Sequence, residues 1–163
     1  MATTYGTQFT NIVNNALGQL QTLNDIQLGG GKVRVYIENI VYASQASGSL
    51  ICCARVPLNA VILAFVLITD TSTGSATLAI QDFAASPNTY VAASAYTSTN
   101  TPTIIGKPQA PATGYGVGQE ITTAYDYNGT SGRNADFAIL TAAASLPASG
   151  NLTLYTLYVD GAS

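Results

Sequence analysis

From residue 32 onward the chain is a series of short apolar runs divided by turns of Gly, Ser, Thr, Asn and Pro. Residues 32–42 alternate polar and apolar positions and slip phase near Asn39, which predicts a half-buried strand with a bulge. A turn at Gln45-Ala46-Ser47-Gly48-Ser49 leads to a second strand over 50–56. Pro57-Leu58-Asn59 breaks it before a fully apolar third strand over 60–68. After Thr71-Ser72-Thr73-Gly74-Ser75, residues 76–83 put Leu78 and Ile80 on one face and Thr77, Ala79 and Gln81 on the other. Pattern returns at 121–127, 135–142 and 151–160, the last with a second phase slip around Tyr155-Thr156. Between them, residues 84–118 are rich in Ala, Ser, Thr, Asn, Pro and Gly and predict long loops with one or two short strands. About eight strands with turn signals between them give an all-β, antiparallel β-sandwich, jelly-roll-like.

Residues 1–31 differ from this body of residues 32–163 and end in Gly29-Gly30-Gly31, a hinge signal that marks them as an N-terminal arm. Phe9, Ile12, Val13, Ala16, Leu17, Leu20 and Leu23 recur at helical spacing, which predicts a short helix in the arm despite Asn14, Asn15 and Gly18. Such an arm either packs on its own body or docks on a neighbouring subunit. For docking, the candidate residues are Tyr5, Phe9, Ile12, Val13, Leu17 and Leu20.

At 163 residues the chain is one domain's length, long enough for a core without metal or disulfide. Only 8% of residues are charged, against about 25% in an average soluble protein. The basic residues Lys32, Arg34, Arg55, Lys107 and Arg133 are scattered and the net charge is -3, which argues against nucleic acid as a partner. With no His, the residue that titrates near neutrality is missing, and Ser-His-Asp, Cys-His and histidine-metal chemistries are excluded. No apolar run reaches the roughly 20 residues of a spanning helix, so no membrane partner is expected. The opening Met1-Ala2-Thr3-Thr4 has no basic n-region or apolar core, which predicts synthesis in a cytoplasm.

Cys52 and Cys53 are adjacent, so an intrachain disulfide between them is strained; both read as small buried hydrophobes. Asp70-Thr71-Ser72 has one carboxylate and no glycine where an aspartic protease needs paired Asp-Thr-Gly motifs, and reads as a turn. The other acids are isolated, and Asp126, Asn128 and Asp136 lack calcium-loop spacing. The run Gly114-Tyr115-Gly116-Val117-Gly118 has no strand-then-helix context and is not a phosphate loop. No catalytic residue, cofactor or metal ligand is nominated. Ten tyrosines against four phenylalanines favour interfaces, and Tyr90, Tyr96, Tyr115, Tyr125 and Tyr127 either prop loops or line a carbohydrate site.

The run from Lys32-Val33-Arg34-Val35 through Leu50-Ile51-Cys52-Cys53-Ala54-Arg55-Val56-Pro57-Leu58-Asn59-Ala60-Val61-Ile62 resembles a family of small tailed-bacteriophage virion proteins. So do Asp70-Thr71-Ser72-Thr73-Gly74-Ser75-Ala76-Thr77-Leu78-Ala79-Ile80, the closing Leu154-Tyr155-Thr156-Leu157-Tyr158-Val159-Asp160 and the Met1-Ala2-Thr3-Thr4-Tyr5 opening. The corner carries Asn59 where glycine is common in that family, and residues 84–118 have no counterpart. The resemblance implies a head decoration, cement or minor capsid protein. Its β-sandwich would oligomerise, often as a trimer, on the major capsid protein at the capsid surface. The expected function is therefore assembly in a virion rather than catalysis, with a tail or fibre adhesin that binds cell-surface glycan as the alternative.

Overall fold

The computed structural model describes residues 33–106 and 116–160. The arm and its candidate residues Tyr5, Phe9, Ile12, Val13, Leu17 and Leu20 lie outside the described residues, as do Lys107 and Tyr115. Among the described residues, eight strands form two four-stranded antiparallel sheets. They are β1 (Val33–Val41), β2 (Leu50–Pro57), β3 (Val61–Thr69), β4 (Thr77–Asp82), β5 (Thr89–Ser94), β6 (Thr103–Gly106), β7 (Asn134–Ala142) and β8 (Asn151–Val159). One sheet has the order β1-β8-β3-β6 and the other β2-β7-β4-β5, which is the β-sandwich expected from the sequence.

The core lies between the sheets. Ile62, Phe65 and Leu67 of β3 and Leu152 and Leu154 of β8 meet Val56 of β2, Leu78 and Ile80 of β4 and Phe137 and Ile139 of β7, all essentially without solvent contact. Phe137 is the aromatic centre: Phe65 meets it edge-on at 6.2 Å between centroids and Tyr90 at 4.9 Å. Asn59, at the corner between β2 and β3, has φ of +67° and donates its backbone N–H to Ile121 O at 2.9 Å. Asparagine tolerates this left-handed conformation better than most side chains, which suits Asn59 to this corner.

Four expectations change. The bulge expected at Asn39 is absent, since β1 pairs with β8 in unbroken register from Val33↔Val159 to Val41↔Asn151. The slip at Tyr155-Thr156 is absent for the same reason. Register shifts fall instead between Cys52 and Ala54 of β2, between Ile62 and Ala64 and between Phe65 and Val66 of β3, and between Leu78 and Gln81 of β4. The strand expected at 121–127 is an irregular loop with an isolated bridge, Tyr125↔Ser131, because Asp126 folds the chain back by accepting the N–H groups of Asn128 and Thr130, both at 2.9 Å. Cys52 is exposed, and only Cys53 is buried. The short strands expected within 84–118 are β5 and β6.

Candidate assembly surface

In β1 the side chains at even positions point inward: Ile40 is buried, and Tyr36 packs against the core. The odd positions, Val33, Val35, Ile37 and Val41, point outward and are 55%, 49%, 53% and 64% exposed. The residues that looked like the buried half of the strand therefore face away from the core. The pairing carries this character across the sheet. Ile37 lies beside Tyr155, Tyr155 beside Val66 and Val66 beside Ile104; Val35 lies beside Leu157 and Leu157 beside Ala64; Val33 lies beside Val159 and Val159 beside Val61. Apart from the Tyr155 hydroxyl, polar side chains enter toward one end, where Thr153 Oγ1 donates to Asn39 Oδ1 at 2.8 Å.

Among the described residues the face carries no charged side chain, and its strands of nine residues at about 4.8 Å spacing and 3.3 Å rise span on the order of 500 Å². That is near the upper end for the largest apolar patch on a monomer, and such patches mark interaction sites. The apparent phase slips in β1 and β8 arise here: both faces of these strands carry apolar residues, so alternation fails without any backbone irregularity.

Beside this face, between β1 and β2, lies a cleft of about 430 Å³ lined by Tyr36, Glu38, Cys52, Cys53, Ala54, Arg55, Tyr127 and Asp136. Its charge is largely committed. Arg55 donates from Nε to Asp136 Oδ1 at 2.6 Å and from Nη2 to Asp136 Oδ2 at 2.7 Å, and the Tyr127 backbone N–H donates to Oδ2 at 3.0 Å. The Arg55 hydrogen bonds hold the Asp136 carboxyl below its usual range, helped by Tyr127 N–H and opposed by burial. The thiols are poor nucleophiles here. Burial pushes both Cys52 and Cys53 up, Cys53 strongly, and Cys53 Sγ donates to Phe137 O at 3.3 Å.

The acids singled out in the sequence serve the loops. Asp70 accepts Asn151 N–H at 2.7 Å, Asn151 Nδ2 at 2.8 Å and Thr71 Oγ1 at 2.9 Å, which makes the Asp70-Thr71-Ser72 segment a turn tied to β8. Asp82 accepts the N–H groups of Ala84 and Asn88 and the Asn88 amide. Among the described residues, no group of three or more His, Cys, Asp or Glu is placed to hold a metal, and no helix is long and apolar enough to cross a membrane. Within the glycine-rich run, Gly118 N–H donates to Ile62 O at 2.7 Å and Val117 is buried, so residues 116–118 brace β3. Of the tyrosines, Tyr90 and Tyr96 pack on the core, and Tyr127 is exposed.

No protein-family model matches the chain, and no curated protein matches it. Two solved structures share its fold. A chain in the capsid asymmetric unit of cyanophage Pam1 is 20% identical with a TM-score of 0.54, over 80% of this chain and 86% of that one. A chain in the capsid of Ralstonia phage GP4 is 17% identical with a TM-score of 0.53, over 82% of this chain and 87% of that one.

Proposed function

We propose that the chain is a structural protein of a bacteriophage virion, which decorates or cements the capsid by associating with copies of itself and binding the major capsid protein. The observation that carries this reading is the uncharged apolar outer face of the β1-β8-β3-β6 sheet. A face of that size is costly to leave in water and is suited to a permanent subunit contact. The fold shared with chains of two phage capsids supports it, as does a strand order in which β1 lies beside β8 and β2 beside β7, the arrangement of a two-sheet jelly roll. In this reading the protein is made in the host cytoplasm, sits at the capsid surface and catalyses nothing. Association builds the trimer implied by the resemblance, and the arm contacts the shell or a neighbour through Tyr5, Phe9, Ile12, Val13, Leu17 and Leu20.

The test is co-sedimentation of purified protein with phage heads that lack it. The full chain is expected to pellet with heads, and a variant without residues 1–28 is expected to stay folded and remain in the supernatant. Undiminished binding by the truncated protein contradicts the role of the arm. No binding by the full chain, together with capture on a glycan array, replaces the reading by the adhesin. Tyr90 and Tyr96 weigh against that alternative because their rings pack on the core.

A further inference from the structure

Among the described residues β1 is an edge strand, paired with β8 on one side and with no strand on the other. It runs nine residues in unbroken register without a proline or a bulge, and its edge protection rests on two inward charges, Arg34 and Glu38, which keep out strands that do not match them. Its outward side chains are about half exposed, whereas their row partners Tyr155, Leu157 and Val159 of β8, flanked on both sides, are only partly exposed. Among the described residues, β1 has an open side for one more strand.

The inward positions specify which strand. Arg34 and Glu38 stand two residues to either side of Tyr36 on the same face of β1. A second β1 running antiparallel, with a two-fold axis through Tyr36, sets Arg34 of each copy opposite Glu38 of the other and Val35 opposite Ile37, each pair occurring twice. An axis through Arg34 or Glu38 would set like charges opposite each other. One through Val35 or Ile37 would leave Arg34 facing Tyr36 or Ile40. Neither charge is tied up elsewhere in a strong contact: Arg34 pairs with Asp160 at the surface, where ion pairs contribute little, and Glu38 accepts from Tyr36 Oη at a long 3.5 Å.

We propose that two copies of this chain join through β1, antiparallel and centred on Tyr36, so that the β1-β8-β3-β6 sheet continues across the two-fold axis. This deepens the self-association part of the proposed function and rests on it. A two-fold contact cannot close a trimer, so it joins two single copies or two trimers.

The test measures the mass of the full chain by light scattering across a concentration series, for the wild type, Arg34→Glu, Glu38→Arg and the double variant. Opposite charges across a strand pair stabilise it and like charges destabilise it. The wild type is expected as a dimer or hexamer. Each single variant is expected to weaken the contact on the order of tenfold and move toward half the mass, and the double variant to restore it. Ile37→Lys, at an exposed position, is expected to weaken it as well and to leave the circular-dichroism spectrum of the folded body unchanged. A wild type whose largest species is a trimer, or single variants with unchanged mass, overturns the strand contact and leaves self-association standing. A wild type that is monomeric at every concentration overturns both.

Discussion

Arg55 and Asp136 are direct cross-strand partners of β2 and β7, joined by two parallel hydrogen bonds that hold the carboxylate in its charged form. Because the folded state depresses the carboxyl's pKa, its contribution is fully present above the unfolded value near 3.9 and is lost as pH falls through the folded one. Asp70, held down first by the Asn151 backbone N–H, has the same sign. Thermal melts are expected to show falling stability below about pH 4. Arg55→Ala should lower the melting temperature at pH 7 and shrink that acid dependence, since it leaves the Asp136 carboxylate without its partner. A variant that melts like the wild type at pH 7 contradicts this account of the clamp.

Thr156 faces inward from β8, fully buried, and its hydroxyl has no hydrogen-bond partner among the described residues. A buried polar group in that state costs stability, and a methyl in its place does not. Thr156→Val is therefore expected to stabilise the fold by about 1 kcal/mol, a rise of roughly 2–4 °C in melting temperature for a domain of this size. An unchanged or lower midpoint would show that the hydroxyl is satisfied.

A Cβ at Gly106 would lie 2.9 Å from Phe65 Cδ2, 2.9 Å from Val117 Cγ2 and 3.2 Å from Val91 Cγ2. These neighbours are core side chains, so they yield only by repacking. Gly106→Ala is expected to destabilise by about 1–3 kcal/mol in denaturant titration.

Cys52 is exposed and Cys53 buried, and both thiols are pushed above their ordinary value. A thiol reagent at neutral pH should modify one equivalent, more slowly than free cysteine, and reach two only on unfolding. Two fast equivalents in the native protein would contradict the burial of Cys53.

Much of the fold was legible because the hydrophobic pattern and turn chemistry agree: the apolar run at 60–68 became β3, and the alternation at 76–83 became β4. The orientation of β1 was not legible. Val33, Val35 and Ile37 have the spacing of a buried face, yet Tyr36, Ile40 and Tyr42 take the core side, and a pattern carried by apolar residues on both faces leaves that choice to tertiary packing. The apparent slips at Asn39 and Tyr155-Thr156 are the visible trace of this surface, because apolar residues on the outer face break the alternation that a solvated face would keep. Residues 121–127 failed as a strand because the Asp126 turn intervenes, a local hydrogen-bonding choice that overrides alternation.

Cryo-electron microscopy of the parent phage particle would show directly whether this sandwich is a capsid-bound subunit, as we propose. Density for the eight-stranded body is expected on the head, seated against the major capsid protein. A head reconstructed at side-chain detail without that density, or with the sandwich found only on the tail, would contradict it.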